Sequence, residues 1–170
     1  MTDHKMDKIK DRDDLRNLFL TYSDELYKFA YTRLGYKKEV AEDVIQDLFI
    51  KVWDNKEKYD PALGSIRTWL YAILRNMIID TYRKGKFKLV EMKDDKSDLR
   101  EVENIDDEFL IESYLRKLGP KEYELLLLRY QQDLEISEIA KIVGKNQNSV
   151  RVSIHRAIKR LKNLIENDNG

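Results

Sequence analysis

The sequence predicts an all-α fold, in which an acidic linker separates two small helical domains. Apolar residues recur at intervals of three and four through most of the chain, as on the buried face of an amphipathic helix, and no alternating strand pattern of useful length occurs. This periodicity stops between residues 93 and 108, where eleven of sixteen residues are charged. Such a segment cannot bury a core of its own. We therefore predict domains at 1–85 and 107–170, joined by a flexible acidic linker at 86–106.

The N-terminal domain is expected to contain three helices. The first spans about residues 12–34 and ends at Gly35, and the second spans about 38–55. The third runs to about residue 83 from Ser65, whose hydroxyl suits an N-cap.

The C-terminal domain is expected to contain four helices. The first lies at about 107–118, and Pro120 suits the first turn of the second, which carries the apolar run LLLLRY. Ser137 is predicted to cap a short third helix, and Asn146 a longer last one. Gly144 between these two permits a sharp left-handed exit, so the pair has helix-turn-helix form.

The composition excludes several classes of protein. The chain has no cysteine, which rules out disulfides and thiolate metal sites, and no apolar run approaches the roughly 20 residues of a membrane span. The N-terminus lacks the apolar stretch of a signal peptide, so we expect a cytoplasmic protein without membrane insertion. The two histidines, His4 and His155, accompany no nucleophile paired with a base, and the single glycines form no phosphate loop. We expect no enzyme, no cofactor and no metal.

Charge is distributed unevenly along a chain whose net charge is zero. Between residues 139 and 165 there are seven Lys or Arg and no Asp or Glu. A solvated helix face would ordinarily interleave both signs, whereas this concentration attracts polyanions.

The last helix has an outer face suited to reading DNA. Its N-terminal Asn, Gln and Arg side chains can contact base edges, and the later Lys and Arg side chains can contact phosphates. A helical hairpin without a DNA role is the alternative. The predicted outer face consists of Gln147, Asn148, Ser149, Arg151, Val152, His155, Arg156 and Lys159.

The second helix carries an acidic stripe of Glu39, Asp43 and Asp47 at intervals of four. Like charges so spaced destabilise a helix by roughly 0.2–0.5 kcal/mol per pair. A basic partner that covers the stripe would explain it, and an ordinary solvated face is the alternative. No Glu-x-x-His pattern accompanies these carboxylates, so a di-metal site is not indicated.

The third helix combines aromatic and basic side chains that we expect to be exposed, an arrangement suited to stacking with single-stranded DNA. The alternative is that Trp69 and Tyr71 belong to the core, and for Trp69 we favour the core because it lies on the apolar stripe. The full set is Arg67, Trp69, Tyr71, Arg75, Tyr82 and Arg83, with Asn76 and Asp80 beside them.

These segments resemble a known family. AEDVIQDLFIKVWD (41–54) and YDPALGSIRTWLYAILRNMIIDTYRK (59–84) are similar to regions 2.2 to 2.4 of extracytoplasmic-function sigma factors. LGPKEYELLLLRYQQDLEISEIAKIVGKNQNSVRVSIHRAIKRL (118–161) resembles region 4. The resemblance implies a sigma factor that binds core RNA polymerase, recognises −35 and −10 promoter elements and promotes strand opening. The alternative is a stand-alone helix-turn-helix regulator that binds duplex DNA without polymerase.

The resemblance also implies partners and roles. The last helix corresponds to the helix that reads the −35 element, and the linker corresponds to a segment that lies in the RNA exit path. The implied partners are the β′ clamp helices and β flap of core RNA polymerase, promoter DNA and an anti-sigma factor. The family often has Thr-Val-Lys-Ser-Arg where this chain has Ser-Val-Arg-Val-Ser at 149–153, so one basic side chain is missing. Polymerase binding falls on Asp43, Gln46, Asp47, Phe49 and Trp53. Contacts to −10 DNA fall on Lys56, Tyr59, Ser65, Arg67, Arg75, Asn76, Asp80 and Arg83.

Overall fold

The structure is a computed structural model that describes residues 8–84 and 106–168, with the side chains of 111–167 in the second range. All regular secondary structure in these residues is helical, which confirms the predicted fold class. The predicted linker lies outside the described residues except for Asp106, where a helix begins. The helices are α1 (Arg12–Arg33), α2 (Lys38–Asp54), α3 (Ile66–Arg83), α4 (Asp106–Arg116), α5 (Pro120–Leu126), α6 (Ile136–Val143) and α7 (Gln147–Asp168).

The first three helices pack on one another around an apolar core. Leu26 and Phe29 of α1, Leu48 of α2 and Leu70 of α3 are completely buried in it. The hydroxyl of Ser65 accepts a hydrogen bond from the Thr68 backbone N–H, so the predicted N-cap of α3 is confirmed.

The C-terminal helices follow the predicted order, with one incorrect cap. Pro120 lies in the first turn of α5, and a π-helical turn, Leu127–Gln131, extends this helix. The N-cap of α6 is Glu135 and not the predicted Ser137, so the helix begins two residues earlier than predicted. The reason is that the Glu138 carboxylate accepts a hydrogen bond from the Glu135 backbone N–H (2.9 Å).

The helix-turn-helix geometry between α6 and α7 agrees with the sequence. Gly144 has φ +66°, a left-handed conformation that glycine adopts without steric cost. The Asn146 side chain accepts a hydrogen bond from the Ser149 backbone N–H (2.8 Å), which is the predicted N-cap.

The two helical sets share one continuous core, in which α3 packs against α6. Tyr71 of α3 is completely buried there, and its hydroxyl donates a hydrogen bond to the Gln132 side chain (2.7 Å). The expectation that Tyr71 is exposed was therefore wrong, because residues of the C-terminal set cover that side of α3. Trp69 is half-buried against the core, as favoured from its position on the apolar stripe.

Candidate functional site

An open cavity of about 470 Å³ lies between α1 and α2. The Phe19 ring meets the Phe49 ring edge-on, with centroids 5.0 Å apart, and 43% of Phe19 is exposed. The α1 wall of the cavity was not predicted from the sequence. The adjacent apolar run Leu18-Phe19-Leu20 is wider than one buried helix face, and this was the available signal. The cavity is lined by Arg12, Leu15, Arg16, Phe19, Gln46, Phe49, Ile50 and Trp53.

The acidic stripe of α2 borders this cavity. Glu39, Asp43 and Asp47 are all exposed, and among the described residues no salt bridge joins any of them to a basic side chain. Residues three and four apart share a helix face, so the carboxylates lie beside Gln46 and Ile50 of the cavity wall. The exposed carboxylates and the largely apolar cavity form one continuous surface, and Arg12 and Arg16 line the cavity on its α1 side.

The loop before α3 is held in shape by its own predicted site residues. Tyr59 is buried, with its ring centroid 5.4 Å from that of Trp69. The ammonium group of Lys56 lies 3.7 Å from the centre of the Trp53 ring, a cation–π contact. Ser65 caps α3, as described above. Lys56, Tyr59 and Ser65, three of the predicted −10 residues, therefore each contact another residue of the protein.

Asn76, Asp80 and Arg83 form an exposed row on α3, separated by four and three residues. A donor-acceptor amide, a carboxylate and a guanidinium on one face can form hydrogen bonds with bases and phosphates.

The other two predicted −10 residues, both arginines, are engaged within the protein. The Arg67 guanidinium donates to both oxygens of the Glu25 carboxylate (2.8 and 3.1 Å) and to the Gln132 backbone carbonyl (2.7 Å). The Arg75 Nε donates to the Glu124 carboxylate (3.1 Å). Burial, and then the nearby Glu25 charge, raise the pKa of Tyr71, which keeps its hydroxyl protonated as a donor to Gln132.

The outer face of α7 is exposed as predicted, at all eight positions. Val150, Ile154 and Ala157 are buried on the opposite side. The Arg151 guanidinium donates to the Asn148 side-chain carbonyl (3.1 Å), so these two side chains are coupled before any ligand is bound.

Basic side chains near the end of α7 differ in their partners. Arg160 forms a salt bridge with Glu122 (2.9 Å), which partly compensates its charge. Lys159 is exposed and lies in no salt bridge within the described part of the chain. Lys159 is therefore the better placed of the two for a phosphate.

Two features are absent from the described residues. No group of three or more His, Cys, Asp or Glu side chains there is arranged to hold a metal ion. None of the described helices is both long and apolar enough to cross a membrane.

Comparison with known proteins gives two family matches in the order that the motifs predicted. Sigma-70 region 2 matches residues 18–87, and Sigma-70 region 4 matches residues 108–161. The two matches cover most of the chain, and the region 2 match disfavours a stand-alone helix-turn-helix regulator.

Curated relatives align along nearly the whole chain. The ECF RNA polymerase sigma factor BldN of Streptomyces coelicolor is 28% identical over 92% of this chain, which spans 62% of the length of BldN. RNA polymerase sigma factor YlaC of Bacillus subtilis is 29% identical over 91% of this chain and 93% of its own length. ECF RNA polymerase sigma factor SigW of Bacillus subtilis is 28% identical over 93% of this chain and 92% of its own.

Two solved structures have the same fold. CnrH, in complex with the cytosolic domain of CnrY, has a TM-score of 0.71 at 23% identity and covers 93% of this chain and 91% of its own. The sigma factor RpoE of Bartonella quintana, in complex with the anti-sigma factor NepR, has a TM-score of 0.70 at 22% identity, with 91% and 98% covered.

The fold and the paired regions 2 and 4 define a Sigma-70-type transcription initiation factor. The chain belongs to the extracytoplasmic-function group of RNA polymerase sigma factors.

Proposed function

We propose that this protein binds core RNA polymerase through the α1–α2 surface, contacts −10 DNA through α3 and its preceding loop, and reads the −35 element through α7. The observation that carries the proposal is the combination of an apolar cavity beside unpaired carboxylates with a separate, exposed basic helix-turn-helix. One surface suits a protein partner and the other suits DNA. The protein acts in the cytoplasm as a binding factor without catalytic chemistry of its own.

The polymerase site consists of the cavity and the acidic stripe. Phe49 and Trp53 supply apolar walls, while Asp43 and Asp47 supply charge along one edge. A helix with an apolar ridge and basic flanks would fill the cavity and neutralise the stripe, as expected of the β′ clamp helices. Aromatic side chains in a pocket are typical anchors of protein interfaces. The β flap is the expected second contact, with region 4.

The −10 element is assigned to the separated-strand surface of α3. Asn76, Asp80 and Arg83 are ready for DNA as they stand, whereas Arg67 and Arg75 must first leave their carboxylate partners. Lys56, Tyr59 and Ser65 shape the loop that captures an extruded base. Stacking on aromatic side chains supplies about 1–3 kcal/mol per base in proteins that hold single strands.

The −35 element is assigned to the outer face of α7. Arg151 near the N-terminus can bind guanine in bidentate fashion, and Val152 can meet a thymine methyl group. Gln147, Asn148, Ser149 and His155 supply further donors and acceptors at the level of the bases. Arg156 and Lys159 lie further along the helix, where phosphate contacts position the domain without reading sequence.

An anti-sigma factor is a further proposed partner. CnrH and the Bartonella quintana RpoE were both solved in complexes, the latter with an anti-sigma factor by name. We infer that this chain too is held by such a protein until a signal releases it.

The test is in vitro transcription with core RNA polymerase on a library of promoter fragments. We expect transcripts that start downstream of paired −35 and −10 elements only when the protein is present. A library footprint on duplex DNA in the absence of polymerase, without transcripts, would instead favour a stand-alone regulator.

A further inference from the structure

Two polar side chains at the start of α7 are joined to each other by a hydrogen bond. The Arg151 guanidinium donates from Nη1 to the side-chain carbonyl oxygen of Asn148, at 3.1 Å. The two residues are three apart in the chain, so they are neighbours on one face of the helix. Both are exposed, and they lie on the face that is assigned to the −35 element. We call these two residues the Asn148–Arg151 pair.

The capping of α7 does not account for Asn148. The N-cap is Asn146, whose side chain accepts a hydrogen bond from the Ser149 backbone N–H (2.8 Å). A second asparagine is therefore not needed for the cap, and asparagine is a poorer helix former than alanine. Among the described residues, Arg151 is the hydrogen-bond partner of the Asn148 side chain. The contact with Arg151 thus explains a residue that the helix itself does not require.

The acceptor in this pair is neutral, which distinguishes it from three other arginine contacts of the protein. Arg67, Arg75 and Arg160 each donate to a carboxylate, which compensates their charge. Between residues 139 and 165 there is no Asp or Glu, so no acidic side chain of this segment competes for Arg151. An amide oxygen can hold the guanidinium in place and leave its full positive charge for DNA.

The hydrogen bond leaves one edge of the guanidinium free. Arginine carries N–H donors on Nε, Nη1 and Nη2, and Asn148 engages Nη1. The edge formed by Nε and Nη2 can therefore still bind O6 and N7 of a guanine in bidentate fashion. A long side chain that is already held in one orientation loses less conformational entropy when it binds. Asn148 thus prepares Arg151 for a bidentate contact with a base.

We propose that Asn148 is a positioning residue, which fixes the orientation of Arg151 toward one guanine of the −35 element and reads no base of its own. The proposal rests on the proposed function of α7. It replaces the direct base contact expected of Asn148, because bidentate binding of adenine needs the carbonyl and amide groups of an asparagine together, and the carbonyl is engaged with Arg151. Loss of Asn148 should therefore relax selection at the base pair that Arg151 reads, and at no other.

The first experiment tests the pair without polymerase or DNA. NMR relaxation of the Arg151 Nε–H group in the full-length protein reports the mobility of this side chain. Asn148→Ala should lower the order parameter of the group, whereas Asn148→Asp should keep it high, because aspartate retains the acceptor oxygen. Asn163→Ala is the matched control, since it removes the same side chain at an exposed position near the other end of α7. An Arg151 order parameter that is the same in the unmodified protein and in Asn148→Ala overturns the proposal.

The second experiment measures selectivity with the holoenzyme, formed from core RNA polymerase and the full-length protein. Its affinity is determined for promoter duplexes from the library that differ at single −35 base pairs. Arg151→Ala should lower the affinity ratio of correct to incorrect base about tenfold or more at one base pair. Asn148→Ala should lower that ratio about fivefold at the same base pair, since the cost of ordering the Arg151 side chain returns. Asn163→Ala should leave every ratio unchanged.

Two further variants separate positioning from direct reading. If Asn148 acts through Arg151, the double variant Asn148→Ala with Arg151→Ala should lose no more selectivity than Arg151→Ala alone. Asn148→Asp should retain the ratio at that base pair, although its negative charge weakens binding to all duplexes. Alanine is the better helix former, so a loss in Asn148→Ala does not arise from an unfolded α7.

The outcomes distinguish this proposal from the proposed function. A loss of selectivity at a different base pair in Asn148→Ala, or additive losses in the double variant, would show that Asn148 reads DNA by itself and would overturn the positioning role. If the unmodified holoenzyme binds every −35 variant equally, the proposed function of α7 fails, and this proposal fails with it. The NMR measurement then still decides whether Asn148 holds Arg151.

Discussion

Phe19 offers a direct test of the proposed polymerase-binding role of the α1–α2 cavity. Truncation of Phe19 to Ala removes one wall of the cavity and exposes the edge of Phe49, with which it pairs at 5.0 Å. Because 43% of Phe19 is already exposed, the loss of folding free energy should be modest. Partial burial of the ring and the aromatic pair together account for about 1–2 kcal/mol.

The effect on polymerase binding should be larger than the effect on folding. In the complex the exposed part of the Phe19 ring becomes buried, and an aromatic anchor in an interface pocket typically contributes about 2 kcal/mol or more. We therefore expect Phe19→Ala to raise the Kd for core RNA polymerase roughly thirtyfold.

Leu20→Ala is the matched control. Leu20 is the next residue of α1, is 67% exposed and does not line the cavity, so its truncation should change Kd by less than about threefold. Fluorescence anisotropy of the labelled protein titrated with core enzyme gives Kd, and urea unfolding gives the free energy of unfolding. Equal losses for the two variants, or full-strength binding by a folded Phe19→Ala protein, would refute the assignment of the cavity.

Three further predictions concern the charged surfaces. Asp43→Lys combined with Asp47→Lys should weaken co-purification with core polymerase at least about tenfold while leaving helical content unchanged, because the exposed stripe has no internal partner to lose. Asn76→Ala should reduce permanganate reactivity of the melted −10 bubble more than protection of the −35 duplex; the reverse pattern would contradict the division of labour between α3 and α7. Arg151→Ala should cost about 1–3 kcal/mol of binding free energy at one base pair of a −35 duplex. Lys159→Ala should instead weaken binding to all sequences equally and lower the salt dependence of binding by roughly one ion. Binding to single-base variants of the duplex at several salt concentrations measures both effects.

Features that depend on local sequence were predictable. The order of the seven helices, the Ser65 and Asn146 caps and the left-handed Gly144 follow from spacing and from residues next to one another in the chain. The outer face of α7 was predicted for the same reason, because Val150 and Ile154 fix which side of the helix is buried. The Ser137 cap was wrong because Glu135 and Glu138 form a better one two residues earlier.

Features that depend on contacts between distant segments were not predictable. No residue near Tyr71 in the sequence indicates that Gln132 will cover it. The spacing of apolar residues in α3 alone places Tyr71 among the side chains expected to be exposed. The α1 wall of the cavity was not predictable for the same reason. Phe19 lines the cavity only because Phe49, on a second helix, packs against it. Family resemblance supplies roles for such residues, but it does not show that Arg75 already has a partner.

The two classes of proposed −10 residue on α3 suggest an order of events for promoter opening. Asn76, Asp80 and Arg83 are exposed, so DNA can contact them without displacing a partner side chain. Arg75 becomes available only after Glu124 has left, and that separation exposes a buried carboxylate to water, which lowers the cost of breaking the pair. We therefore expect contacts with the exposed row to come first, and the negative charge of DNA to compete next with Glu124 for the Arg75 guanidinium. We expect a sequence that binds the exposed row poorly to leave Arg75 paired with Glu124, so that this competition adds to promoter selectivity.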